Sequence, residues 1–159
     1  MSYHIYTTKG LVLSARPLRE ADRVYSILTR DFGLIRASAT GVRKEASKLR
    51  GSLEPFIISN ISLVRGKEYW RITSAEPVQR VAAAPTLARP LALLQRLVQG
   101  EAPHFELFDA VEAHLASDET TLAAHILYHL GYLKERDLSL EGKALIAAIN
   151  EGLKQSHLV

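Results

Sequence analysis

A chain of 159 residues with 47% hydrophobic and 23% charged side chains has room for one large domain or two small ones and lacks the composition of a disordered tail. Its longest apolar runs, LALL and LIAAI, are far too short to span a bilayer, MSYHIYTTKG lacks the basic start and apolar stretch of a signal peptide, and the absence of cysteine removes disulfides, thiolate nucleophiles and cysteine-based zinc sites. The net charge of +3 is unevenly held: residues 1–80 carry fourteen Lys/Arg against seven Asp/Glu, and the remainder six against ten. A basic half on an otherwise acidic chain is the footprint of a polyanion-binding module. A cytosolic location without membrane association is expected.

Residues 1–80 read as strands. TTKGLVLSA and RVYSILTR are rich in Val, Ile, Leu, Thr and Tyr, and turn or charged residues bound them. Asp31-Phe32-Gly33 predicts a tight connection into a third strand. There Ile35, Ala37 and Ala39 point one way while Leu34, Arg36, Ser38 and Thr40 point the other. FIISNISLV gives a fourth strand, Arg65-Gly66-Lys67-Glu68 a hairpin turn, and YWRITSAE a fifth. Five short strands with one longer connection, about residues 42–53, fit a small closed barrel.

After Pro77 the period changes, and residues 81–159 are expected to form a second, helical domain. Leu87, Leu91, Leu94 and Val98 make one helical stripe, in a helix that starts or kinks at Pro90. Phe105, Phe108, Val111 and Leu115 make a second. Ser117-Asp118 supplies an N-cap for a third helix carrying Leu122, Ile126 and Leu130, which Gly131 is placed to end. Ser139 is expected to cap a fourth, with Leu145, Ala148, Ile149 and Leu153 on its apolar face. The fold class is therefore α+β, a β-barrel first and a helical bundle second.

Signals for catalysis are weak. His125 and His129 have the i, i+4 spacing of zinc ligands, but Ile126 stands where a metallohydrolase motif has glutamate. His104 and His114 add no recognisable third ligand by spacing. Glu20 and Asp22 lie among Arg16, Arg19 and Arg23 and read as a solvated, charged turn. No GxSxG, GxGxxG or P-loop occurs. No enzyme activity, metal or cofactor is expected.

The basic residues say more. Arg36, Arg43, Lys44, Lys48 and Arg50 are opposed only by Glu45 between Gly33 and Gly51. In a five-stranded barrel the third strand and the loop after it border the face that holds single-stranded nucleic acid. Arg65 and Lys67 in the hairpin turn extend the basic surface. Tyr25, Phe32, Phe56, Tyr69 and Trp70 interleave with this charge. Neighbours on a strand face opposite ways, so with Ile72 and Trp70 in the core, Tyr69 and Arg71 share the outer face. Phe32 and Phe56 are assigned to the core. The expected DNA-binding set is Arg36, Arg43, Lys44, Lys48, Arg50, Arg65, Lys67, Tyr69 and Arg71.

The run LVLSARPLREADRVYSILTRDFGLIRASATGVRKEASKLRGSLEPF, followed by GKEYWRITSAEPV, resembles the N-terminal domain of the RecO family. LTR before DFG, the G-x-I-R-A-x-A-x-G-x-R-K stretch of Gly33 to Lys44, SKLRGSLEPF and the AE near residue 76 carry the likeness, and LAAHILYHLGYL extends it more loosely into the helical half. The resemblance implies an OB-type barrel joined to a helical domain. It implies binding of single- and double-stranded DNA, strand annealing, and work with RecR, single-strand binding protein and a RecA-type recombinase. Many relatives follow the GYL-type helix with a cysteine-containing, often zinc-binding insertion. Here LGYLKERDLSLEGKALIAAIN runs straight on, so a short form without that insertion is expected. Two other classes stay open: a protein-interaction adaptor built on the barrel, and an OB-type RNA-binding module.

Overall fold

A computed structural model describes residues 4–41, 49–80 and 87–156. Its first compact unit is the barrel together with Gln99–His104; its second holds the helices. Five strands, β1 (Tyr6–Pro17), β2 (Arg23–Thr29), β3 (Gly33–Ala39), β4 (Ile57–Val64) and β5 (Trp70–Arg80), close in the order β1-β2-β3-β5-β4. All neighbours are antiparallel except β3 and β5, which pair in parallel at Ala37↔Trp70 and Ser38↔Arg71. This is the five-stranded OB-type barrel expected from the sequence.

Period-two alternation builds the interior. On β3, Ile35, Ala37 and Ala39 are buried while Arg36 is exposed. The inward set meets Val12, Tyr25, Ile27, Ile61, Leu63, Trp70 and Ile72 in one core. Burying a side chain the size of Ile or Leu stabilises by about 1.5–3 kcal/mol. Leu53, just past a single 3-10 turn at Arg50–Ser52, joins the same core. Phe32 and Phe56 are half-buried. Phe32 packs at 5.4 Å from Tyr6 and 5.1 Å from Trp70.

The long strands bend at register shifts, at Val12/Ser14 in β1 and at Ile58/Ser59 and Ser62/Leu63 against β5. Pro77 sits opposite Ser59 at one of these shifts. A proline without an N–H is tolerated in a strand at such a place, so β5 runs on to Arg80 instead of ending before Pro77. Gly33 opens β3 with φ +71°, and a Cβ there would run into the Ala102 carbonyl. That close approach lets the segment 99–104 lie on the barrel, where the Leu34 N–H donates to the Gly100 carbonyl at 3.2 Å.

The helical unit comprises α1 (Ala88–Leu97), α2 (Phe105–His114), α3 (Glu119–His129) and α4 (Gly142–Gln155). α3 is central and packs on the other three; Leu122, Ala123, Ala124, Ile126 and Leu127 are buried along it. Asp118 caps it by accepting from the Thr121 N–H at 2.8 Å. That bond and one from the Thr121 hydroxyl hold the Asp118 carboxyl below its ordinary range. Gly131, at φ +88°, follows its end.

Three local expectations are corrected. α1 starts at Ala88, two residues before Pro90, which lies in its first turn, where a missing N–H costs no helical bond. On α2, Leu107 is buried and Phe105 is 47% exposed. Ser139 does not cap α4; it belongs to a 3-10 turn, Glu135–Ser139, in which the Lys134 N–H donates to Asp137 at 2.9 Å. α4 then begins behind Glu141, which makes no side-chain cap.

Candidate nucleic-acid interface

Between the β1–β2 loop and the β4–β5 loop lies an open groove of about 760 Å³. Leu18 and Arg19 line it from the first loop, and Arg65, Gly66, Lys67 and Glu68 from the second; Ser38 of β3, Tyr69 just before β5 and Arg71 within it form its floor. Strand alternation explains the floor. Ala37 and Trp70 pair facing inward, so Ser38 and Arg71, the next pair, face outward. Trp70 is 3% exposed, Tyr69 half-buried and Arg71 exposed.

Four cationic side chains therefore face one groove, with Glu68 the one carboxylate in its lining among the described residues. The guanidinium of Arg16 donates to the Tyr69 hydroxyl at 3.1 Å, adding a fifth cation beside the ring. Arg65 is held in place: it stacks 4.0 Å from the Trp70 ring centroid and pairs with Glu101 at 3.1 Å. The indole N–H of Trp70 donates to the other Glu101 oxygen at 3.0 Å. Both members of the Arg65–Glu101 pair are exposed (60% and 42% for the side chains), so this is a weak surface bridge.

The expected residues divide on this geometry. Arg65, Lys67, Tyr69 and Arg71 come together in the groove. Arg36 is exposed on the outward register of β3, opposite Ser26 of β2 and two residues from Ser38. Arg50 is exposed in the 3-10 turn and does not line the groove. With Arg23 and Glu54 it acts on Tyr25, whose phenol is pushed up chiefly by burial. Arg43, Lys44 and Lys48 lie outside the described residues. Tyr25 is 2% exposed, which removes it as a stacking platform.

Arg19 and Ser38, which also line the groove, and Arg16, which donates to Tyr69, are absent from the set expected from the sequence. Arg16, near the end of β1, and Arg19, in the loop after it, are visible as charge in RPLREADRV but read as a solvated turn; the usable signal is their place where the first two strands of a barrel connect. Asp22 corrects that reading directly. It is buried, accepting from the Gly41 N–H at 2.8 Å and facing Arg19 at 3.4 Å. Elsewhere, the rings of His114 and His125 stack with centroids 3.7 Å apart. Burial first, then His114 and His129, hold His125 below the ordinary histidine range. Among the described residues no three His, Asp or Glu side chains are grouped to hold a metal.

The family model described as "Recombination protein O N terminal" matches residues 1–81. The chain belongs to the RecO family. It is similar to the DNA repair protein RecO of Synechococcus sp. (strain JA-2-3B'a(2-13)), 38% identical over 154 residues that cover 82% of this chain and 54% of that protein. It is likewise similar to the DNA repair protein RecO of Gloeothece citriformis (strain PCC 7424), 33% identical over 150 residues covering 87% and 52%, and to that of Synechococcus elongatus (strain ATCC 33912 / PCC 7942 / FACHB-805), 38% over 132 residues covering 79% and 50%. The chain thus spans about half the length of the RecO proteins it matches. Among the described residues no helix is long and apolar enough to cross a membrane.

Proposed function

We propose that this chain is a DNA-binding repair and recombination module that holds a single strand in the groove between the β1–β2 and β4–β5 loops and carries out no covalent chemistry. One observation supports this above others: Arg19, Arg65, Lys67 and Arg71 converge on a groove that also presents the half-buried Tyr69. Cations along such a groove neutralise phosphates and release counterions, whatever the sequence, and an aromatic face accepts any base. Arg36, on the adjoining outward register of β3, extends the path, and Arg43, Lys44, Lys48 and Arg50 belong to the proposed surface on their charge. Membership of the RecO family supports the wider role: binding of single- and double-stranded DNA, strand annealing, and recombinase loading with RecR, single-strand binding protein and a RecA-type recombinase.

The test is the affinity of the chain for oligo(dT), its RNA equivalent and a duplex, each at two salt concentrations. Binding to oligo(dT) should weaken steeply with salt, with a log–log slope of about 0.7 per phosphate neutralised. A preference for RNA would point to contacts with the 2′-hydroxyl. Absence of salt-sensitive binding to any of the three would refute the proposal and leave the protein adaptor as the reading to pursue.

A further inference from the structure

Where β2 and β3 stop pairing, a side chain takes over from the backbone ladder. The last pair is Arg23↔Ala39. One residue before Arg23 and two beyond Ala39, just outside both strands, the Asp22 carboxylate accepts the Gly41 N–H at 2.8 Å. Gly41 stands at φ +69° with nothing within 4 Å of an added Cβ, so glycine is used here for its backbone conformation and not for space. The other Asp22 oxygen faces the Arg19 guanidinium at 3.4 Å, and the Asp22 carbonyl accepts the Leu18 N–H at 3.0 Å. Leu18 and Arg19 form one wall of the groove, and Ser38, three residues before Gly41, is in its floor. Asp22 is thus joined at once to the wall and to the strand end beside the floor, and it is 8% exposed.

We infer that Asp22 is a positioning residue for the groove: it fixes the β1–β2 loop against the end of β3 so that Arg19 is already in place when a strand arrives. This rests on the nucleic-acid reading given above. The inference runs against simple electrostatics. A carboxylate beside a cationic groove repels phosphates, so charge alone makes its removal favourable to binding. Positioning makes removal unfavourable, because a loosened loop must be ordered at the moment of binding.

Three variants of the full chain separate the two effects. Asp22→Asn keeps an acceptor for the Gly41 N–H and loses the charge together with the oxygen that faces Arg19. Asp22→Glu keeps the charge and moves the oxygens by one methylene, and Asp22→Ala loses both. Affinity for oligo(dT) is measured for each, with thermal melting to check folding and amide hydrogen exchange at Gly41 as the structural readout. Ala and Glu should bind roughly three- to tenfold more weakly than the parent chain, with faster exchange at Gly41. Asn should bind within about twofold of the parent or tighter, with Gly41 still protected. If Ala does not fold, the Glu and Asn pair decides the matter alone. Equal tightening by Ala and Asn with Glu unchanged, or Gly41 exchange indifferent to Ala and Glu, would overturn the inference while leaving the DNA site standing. A parent chain without salt-sensitive binding to oligo(dT) would instead remove the site and the inference together.

Discussion

In the barrel unit, Arg19, Arg65, Lys67 and Arg71 are gathered on one groove. In the helical unit, Asp118 accepts from the start of α3 and Asp137 from the 3-10 turn, Arg89 pairs with Glu119, and Lys134, Lys143 and Lys154 are exposed in separate places along the chain. One groove of the helical unit, about 350 Å³ among α1, α3 and α4, is lined largely by apolar side chains such as Leu93, Ala123, Ile146 and Ile149. The lesson lies in where charge is put as well as in its sign. Cations converging on one concave surface create a field that attracts a polyanion, whereas carboxylates placed at helix starts satisfy orphan N–H groups and serve the fold.

The sharpest way to break this comparison is through the residue on which core and groove meet. Trp70 is buried among Tyr6, Phe32 and the stacked Arg65 and donates to Glu101. Trp70→Ala should destabilise the barrel by about 3–5 kcal/mol, read from urea unfolding. A loss below about 1 kcal/mol would mean that the ring is no part of a packed core. Next in size, Tyr69→Ala should weaken binding of oligo(dT) by about 1–3 kcal/mol with little change in salt slope, because stacking displaces few counterions. Tyr69→Phe, which keeps the ring and removes the hydroxyl that accepts from Arg16, should retain most of the affinity. Equal losses in the two variants would assign the contribution to the hydroxyl.

The smallest effect belongs to the helical unit and concerns pH. His125 is held below the ordinary range in the fold by burial, His114 and His129, so on acidification the unfolded chain takes up its proton first. Stability is then full above the ordinary histidine value of about 6.5 and falls as the pH drops through it. The parent chain should therefore melt lower at about pH 5.5 than at about pH 7.5, and His125→Gln should narrow that gap. An unchanged gap would show that the His114–His125 stack does not govern acid sensitivity.

How much of this was legible in the sequence follows from how local each signal is. Alternation over Ile35, Arg36, Ala37, Ser38 and Ala39 assigned inside and outside correctly on β3, because a two-residue period is a property of the strand alone. The same logic carried across the hairpin turn placed Trp70 inside and Arg71 outside. The α3 cap at Asp118 was legible for the same reason, being set by residues three apart. Ser139 fails as a cap because ERDLS forms its own 3-10 turn and α4 begins only at Gly142, behind Glu141. Arg16, Arg19 and Asp22 could not be sorted from one another by charge pattern. Their roles depend on Tyr69 and Gly41, which reach them only through strand pairing across the barrel. The charge census pointed to the barrel half, and strand pairing shows which of its cations share a groove.

One measurement decides most directly whether the groove holds the strand: the salt dependence of oligo(dT) affinity for two charge-matched triple variants. One replaces Arg19, Lys67 and Arg71 in the groove with Ala; the other replaces the exposed Lys134, Lys143 and Lys154 of the helical unit. Each removes the same net charge, and exposed substitutions usually alter stability by less than about 0.5 kcal/mol apiece. The groove variant should bind far more weakly, its log–log slope reduced by up to about 0.7 for each phosphate no longer neutralised, while the helical variant keeps the affinity and slope of the parent chain. Equal effects from the two variants, or a groove variant with parental affinity and slope, would contradict the claim that this groove holds the strand.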